Sequence, residues 1–208
     1  MTRLRLLGLC ACLVLSLTTI ACGSSNSGPL TWDQSRIANT SSDWWLNALK
    51  GEYYFSFDIS SASNQSDCTM FSDVMTFSNA VLAKYKSGAA PATMVPGNGE
   101  VSGWTYDPGQ VKTATGPGIA TDLTGATDLI DGGAAAFFTP NYSATGFAWE
   151  NYINGNYKLE LQVWQMASAT VAAQVYANLP NPNQVAPYNS SLYTNATFTA
   201  VPATCPSH

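Results

Sequence analysis

The positions of the five cysteines constrain this chain more than any other feature of its sequence. Three of them fall within the first 22 residues, whereas Cys68 and Cys205 lie far apart in the remainder. Two cysteines left over in an oxidising compartment are expected to pair. Such a bridge would tie the end of the chain to its N-terminal half, and the chain-entropy model values it at about 4 to 5 kcal/mol. Two free thiols are the alternative.

The N-terminal sequence indicates whether the protein is exported to an oxidising compartment. Two arginines precede an apolar stretch, residues 6–20, which is too short for a bilayer span of about 20 residues. Small Ala21 then precedes Cys22, and a Gly/Ser-rich segment follows. This order predicts a signal peptide over residues 1–21 and a flexible tether over residues 22–30.

The same segment resembles a bacterial lipoprotein signal peptide, in which the cysteine after the cleavage point carries the lipid. The resemblance implies that Cys22 is acylated and that the protein is held at a membrane of the cell envelope through its lipid. The alternative is an ordinary secretory signal in which Cys22 is incidental. Both alternatives predict export, and both remove Cys10 and Cys12 with the signal.

Composition excludes several classes of protein. Charged residues make up 10% of the chain, against about 25% in ordinary soluble proteins, and acidic residues outnumber basic ones by 13 to 8. A nucleic-acid partner is therefore not expected, because phosphate binding depends on clustered Lys and Arg. The only histidine is His208, which leaves no internal imidazole for a catalytic triad or a metal site. We predict no metal site and no bound cofactor.

Hydrophobic patterning predicts one α+β domain over residues 31–208, with an antiparallel sheet and helices packed on it. The domain divides into an aromatic segment (31–88), a Pro/Gly-rich hinge (89–99) and a patterned half (100–208). Alternation over residues 53–58 predicts a strand. Asn154-Gly155 between two β-like runs predicts a hairpin, because both turn residues must adopt positive φ. Helical spacing is found over residues 68–86, 121–138 and 168–179, and a last extended stretch over residues 192–201.

A resemblance to an uncharacterised family of exported bacterial proteins covers about residues 95–180. It rests on a Gly-Trp pair, a Gly-Gly-Ala helix segment, a Gly-Phe strand entry, a Val-Trp-Gln-Met strand end and an Ala/Val/Tyr helix. These features are Gly103-Trp104, the run from Leu129 to Ala134 with Phe137, Gly146-Phe147, the run from Val163 to Met166, and Ala172 to Tyr176. The resemblance implies an α+β domain and an envelope location, and it implies no particular activity.

Two sets of side chains are candidates for function. Asp128 and Asp131 lie three residues apart in a predicted helix, where they could share a face and act as a general acid and base. The alternative is that they are solvated helix carboxylates. Trp44 and Trp45 are adjacent, so they point in different directions, and at least one should be partly exposed. An exposed indole could stack on a sugar or receive an apolar group, whereas buried indoles would belong to the core.

The sequence therefore predicts an exported lipoprotein that acts as a non-catalytic binding or assembly module in the cell envelope. Its partner would be an envelope protein or a glycan. The alternative is a carboxylate-dependent enzyme that acts on glycans, with Asp128 and Asp131 as the acid pair. A pair of carboxylates about 5 to 10 Å apart and flanked by tryptophan would favour the enzyme.

Overall fold

A computed structural model describes residues 31–40, 42–62, 68–130, 134, 137–140, 142–178 and 197–206. These residues form one antiparallel eight-stranded sheet and three α-helices. The predicted α+β class with a single domain is confirmed. Cys22, Asp131 and His208 lie outside the described residues. None of the helices in the described part of the chain is long and apolar enough to cross a bilayer.

The strands are β1 (Gln34–Asn39), β2 (Asp43–Lys50), β3 (Tyr53–Ser61), β4 (Thr105–Tyr106), β5 (Gly118–Ala120), β6 (Ala144–Asn154), β7 (Tyr157–Met166) and β8 (Thr199–Ala200). Their order in the sheet is β4-β6-β7-β3-β2-β1-β8, and β5 also pairs with β6. The centre of the sheet is the antiparallel pair β3 and β7, which is built from strands far apart in the chain.

Two tight hairpins hold this sheet together. The loop that joins β6 and β7 is Gly155-Asn156, since Asn154 still pairs with Tyr157, and the predicted hairpin is confirmed. Gly155 has a φ of 58°, but Asn154 does not have a positive φ, so the expectation of positive φ at both Asn154 and Gly155 is wrong. β2 and β3 are joined through Gly51, whose φ of 54° is the left-handed conformation that glycine adopts readily. Sequence patterning identified β3 within the aromatic segment, but it did not identify β1 or β2 as strands.

One face of the sheet is covered by α1 (Cys68–Lys84) and is called the α1 face. Alternate residues of β3 and β7 supply its apolar surface, and Phe77 of α1 packs against Trp104 and Tyr152. Residues 89–99, predicted as a hinge, include a short 3-10 helix, and Met94 and Val95 from this segment are buried in the same core.

The disulfide Cys68–Cys205 lies at the start of α1, with the two Cα atoms 5.5 Å apart, which confirms the predicted pairing. It links α1 to the segment that follows β8, the edge strand paired with β1. The bridge spans a sequence separation of 137 residues. Closing a loop of this length restricts the unfolded chain strongly, so the bridge stabilises the attachment of both segments to the sheet.

The opposite face carries α2 (Leu123–Ile130) and α3 (Ala169–Asn178) and is called the α3 face. Trp164 is at the centre of its apolar part, with the rings of Phe137 and Phe147 stacked on it at centroid distances of 3.7 and 3.9 Å. α2 ends at Ile130, before the predicted end at residue 138, and Phe137 lies in a turn. Helix α3 begins after Ser168, whose side chain accepts a hydrogen bond from the Val171 N–H.

Candidate functional site

Only one member of the predicted acid pair lies within the described residues. Asp128 lies on α2 and is exposed, and its backbone carbonyl accepts a hydrogen bond from the Lys112 ammonium. Asp131 lies outside the described residues. The contacts of Asp128 are therefore those of a solvated helix residue.

Trp44 and Trp45 are both buried, with relative exposures of 1% and 3%. The expectation that at least one of them is exposed is wrong. They do point to opposite faces of β2, but both faces of the sheet are covered. Trp44 packs edge-on against Phe71 of α1 at 5.3 Å, whereas the Trp45 indole binds Asp58 on the α3 face.

The α3 face changes from apolar to polar halfway along its strands. Next to the apolar surface around Trp164 lies a group of polar residues that we call the polar band, interrupted by the indoles of Trp45 and Trp149. Its polar members are Arg36, Asn47, Ser56, Asp58, Asn151, Glu160 and Gln162. Asn47, Ser56 and Gln162 are buried, with exposures of 2%, 6% and 7%. Asp58 and Glu160 retain partial exposure.

Strand register arranges the band in two rows across the sheet. The first row consists of Arg36, Asn47, Ser56, Gln162 and Trp149, and the second of Ala38, Trp45, Asp58, Glu160 and Asn151. Residues directly opposite on antiparallel strands have Cβ atoms about 4.5 to 5.5 Å apart. Asp58 and Glu160 are such a pair, so their two carboxyl groups face each other, with Trp45 beside Asp58 in the same row and Trp149 diagonally across from Glu160 in the other row.

A chain of hydrogen bonds fixes one member of this pair. The Trp164 indole N–H donates to Gln162 Oε1 at 3.0 Å, and the Gln162 amide donates through Nε2 to Glu160 Oε1 at 2.5 Å. Because Trp164 is clamped between two stacked rings, Gln162 is held in one orientation. The rigid apolar half of the face therefore positions the Glu160 carboxylate.

Asp58 lies in an environment that disfavours its charged form. Burial, the negative charge of Glu160 opposite and the charge of Asp43 together raise the pKa of Asp58 to about 8, although the Trp45 indole N–H partly offsets them. Burial also raises the pKa of Glu160, although the Gln162 amide and the nearby Trp149 indole act in the opposite direction and lower this pKa. Since the two groups interact, they titrate as a unit and retain a proton at neutral pH.

The cations near the band are engaged with other groups. The Arg36 guanidinium hydrogen-bonds the backbone carbonyl of Tyr176 at the end of α3 and lies 4.1 Å from the centroid of the Tyr176 ring. Lys158 is mostly exposed and pairs with Asp107 at 3.5 Å. Asp58 and Glu160 therefore have no ion-pair partner within the described part of the chain.

Several polar atoms of the band lack a hydrogen-bond partner among the described residues. They are Asn47 Oδ1, Asp58 Oδ1 and Asn151 Nδ2, each of them shielded from solvent. A buried polar atom without a partner costs about 1 to 3 kcal/mol. A small group of such atoms beside two carboxyl groups is therefore unfavourable for folding and offers donors and acceptors to a ligand.

A separate buried acid lies on the α1 face. Glu150 is fully buried, and burial raises its pKa to about 7 despite a hydrogen bond of 2.9 Å from the Asn151 N–H to Oε1. Its Oε2 has no partner among the residues described. Glu150 and Asn151 are consecutive in β6, so they point to opposite faces. Glu150 is thus separated from the polar band by the sheet.

The sequence contains a signal for the polar band that motif analysis missed. Ser56 and Asp58 occupy alternate positions of β3, and Glu160 and Gln162 do the same in β7. Each pair alone is typical of a solvated strand face. Only the pairing of β3 with β7 brings the two acids together, and that pairing is not encoded in local spacing.

No three His, Cys, Asp or Glu side chains in the described ranges are grouped so that they could hold a metal ion. The band can supply hydrogen-bond donors and acceptors, a proton and two negative charges between aromatic walls. Comparisons with known proteins found no matching family model, curated protein or solved structure. The resemblance over residues 95–180 to exported bacterial proteins therefore remains a prediction.

Proposed function

We propose that this protein is an exported, lipid-anchored module of the cell envelope that binds a polar ligand at the polar band without catalysing a reaction. The observation that carries the proposal is the group of unpartnered polar atoms and opposed carboxyl groups within the α3 face. The apolar half of the same face shows that the fold can cover this surface with hydrophobic side chains.

The stability of the fold does not explain the band. Replacing buried polar groups by well-packed apolar ones is often neutral or stabilising, so a purely structural sheet has no need of them. Natural proteins retain such unfavourable groups mainly where function requires them. The ligand would contribute the hydrogen bonds that the described residues leave unmade.

The composition of the band indicates the kind of ligand. Amide, hydroxyl and carboxyl groups next to indoles suit a molecule with both hydroxyl or amide groups and apolar faces, such as a glycan or an envelope peptide. The lipid anchor at Cys22 would keep this face close to the membrane, and the tether over residues 22–30 would allow it to reach its partner.

Binding can be tested by the thermal shift of the purified protein with a chito-oligosaccharide and with a soluble muropeptide. A ligand at about 100 times its Kd should stabilise the protein by about 2.7 kcal/mol. Asn47→Leu should remove most of that shift because it deletes a buried acceptor, whereas Asp128→Asn on the surface should retain it. Equal ligand shifts in the parent and Asn47→Leu would contradict the proposed site.

Anchoring is tested separately by fractionating cells that express the full chain. The parent should partition with membranes, whereas Cys22→Ser should yield soluble exported protein or an unprocessed precursor, because it removes the acylated thiol. Ala21 and residues 23–30 of the tether remain unchanged in this variant. Retention of processed Cys22→Ser in the membrane fraction would show that the anchor is not a lipid at this position.

The alternative, a carboxylate-dependent enzyme acting on glycans, is favoured by one observation. Asp58 and Glu160 face each other, with Trp45 beside Asp58 and Trp149 diagonally across from Glu160, and a raised pKa is suited to a general acid. Release of reducing ends from an oligosaccharide by the parent, abolished in Glu160→Gln at an unchanged melting temperature, would favour the enzyme over the binding module.

A further inference from the structure

We infer that the opposed carboxyl groups of Asp58 and Glu160 bind the ammonium group of a cationic ligand. This inference rests on the binding role proposed for the polar band and specifies the chemistry of its ligand. The carrying observation is the position of the two residues, directly opposite each other on β3 and β7 in the interior of the sheet face.

The charges around Asp58 and Glu160 favour a cationic ligand. The charged groups that face the pair are Asp43 on β2, which adds negative charge, and Lys158 on β7, which is paired with Asp107. Arg36 on β1 lies at the far end of the neighbouring row and is bound at the end of α3, where Tyr176 is the titratable residue. The local charge thus favours a positive group at the pair.

The hydrogen-bond acceptors near the pair suit an ammonium group. An ammonium group donates three hydrogen bonds and accepts none. Asp58 Oδ1 is an acceptor without a partner among the described residues. Asn47 Oδ1 is another, on a side chain only 2% exposed that lies on the same face, diagonally across from Asp58. Glu160, oriented by Gln162, supplies a further carboxylate oxygen.

The aromatic side chains near the pair also suit a cation. Trp45 lies beside Asp58, and Trp149 lies near Glu160. Indole rings attract cations by about 0.5 to 2 kcal/mol when the cation is desolvated. Three potential metal ligands of the His, Cys, Asp or Glu type do not occur together in the described part of the chain, so the arrangement suits an organic cation better than a metal ion.

Without ligand, the pair retains a proton at neutral pH, because the pKa of Asp58 is raised to about 8 and that of Glu160 is also raised. Binding of R–NH3⁺ converts the pair to two carboxylates, and the displaced proton passes to the solvent. Charge and protons therefore balance without any other reactant. Binding should consequently tighten up to tenfold for each pH unit as the pH rises toward 8, provided that the ligand stays charged.

The ammonium could belong to an amino sugar or to an alkylamine such as a lysine-like side chain, and calorimetry distinguishes the two. Glucosamine is compared with N-acetylglucosamine, and 1,5-diaminopentane with 1,5-pentanediol, each with the purified protein at pH 6.5. Only the charged member of at least one pair should bind. Runs in two buffers of different ionisation enthalpy should show release of about one proton per amine bound.

Asp58→Asn and Glu160→Gln should each weaken amine binding at least tenfold, which corresponds to about 1.4 kcal/mol. Both replacements preserve size, and their melting curves establish that they fold. Asp128→Asn, an exposed acid on α2, should bind like the parent. Loss of binding only in the band variants supports the inference.

Two results would overturn the inference, and they are distinguishable from failure of the proposed function. If N-acetylglucosamine or a muropeptide without free amines binds as tightly as the charged probes and Asn47→Leu abolishes that binding, the band binds a neutral ligand and only the ammonium site is wrong. If none of the amines or the neutral ligands binds, the proposed binding role is wrong as well.

Discussion

On the α1 face almost every inward side chain is apolar, whereas the α3 face changes from apolar to polar along the same strands. Partial exposure accounts for only part of the difference, because Arg36, Asp58, Asn151 and Glu160 are half-buried, whereas three further polar residues of the band are buried, namely Asn47, Ser56 and Gln162. The α1 face, tied by Cys68–Cys205, has the composition of a core that maximises stability. The polar half of the α3 face instead contains shielded polar atoms without a partner among the described residues, an arrangement that costs free energy of folding.

The largest effect is expected on the α1 face. Phe77→Ala should lower the free energy of unfolding by about 3 to 5 kcal/mol, because it leaves a cavity between Trp104 and Tyr152. Urea denaturation followed by tryptophan fluorescence measures the loss. A change below about 1 kcal/mol would show that this face does not carry the stability of the fold.

Removing the bridge should have the next largest effect. The double variant Cys68→Ser/Cys205→Ser should be about 2 to 4 kcal/mol less stable, since the unfolded chain regains its freedom over the closed loop. The parent with and without reductant provides the matched control. Identical denaturation midpoints for the oxidised protein and the double variant would indicate that β8 and α1 stay in place without the bridge.

On the α3 face a substitution should stabilise the protein. Asp58→Asn should raise the melting temperature at pH 8 by about 2 to 10 °C, equivalent to about 1 to 3 kcal/mol. The folded carboxyl group keeps its proton to about pH 8, whereas the unfolded one loses it near 3.8. Folding therefore takes up a proton, and stability of the parent falls as the pH rises from about 4 to about 8.

The benefit of Asp58→Asn should accordingly shrink as the pH falls toward 4, which differential scanning calorimetry at several pH values can measure. The stability of the variant should still fall somewhat as the pH rises, because Glu160 and Glu150 also have raised pKa values. Asp128→Asn is the control and should change the melting temperature by less than about 1 °C, as expected for an exposed carboxylate. A variant that is less stable at pH 8 would contradict the assigned environment of Asp58.

Several features that follow from local sequence patterns or from the count of cysteines were predicted correctly. The β6–β7 hairpin follows from Asn154-Gly155, α1 from its apolar spacing, and the disulfide from the number of remaining cysteines. β2 was missed because its run Trp44-Trp45-Leu46 does not alternate between apolar and polar residues. A strand covered on both faces has no reason to alternate.

The candidate site could not be predicted in the same way. Asp58 and Glu160 meet only because β3 pairs with β7, and many topologies are compatible with the same local patterns. Asp128 and Asp131 were candidate site residues because of their close spacing in sequence, yet Asp128 is a surface residue. Proximity across a sheet depends on the tertiary fold, whereas spacing along a helix can be read directly from the sequence.

The buried acids also determine how the folded molecule behaves in an electric field. The formal net charge of −5 counts every carboxylate as ionised. At pH 7 the folded protein should carry less negative charge than this count, because the pKa of Asp58 is about 8 and that of Glu150 about 7. Unfolding restores ordinary acidity to these groups and releases their protons. Changes in electrophoretic mobility near neutral pH, usually attributed to histidine, would here arise from carboxyl groups held inside a sheet.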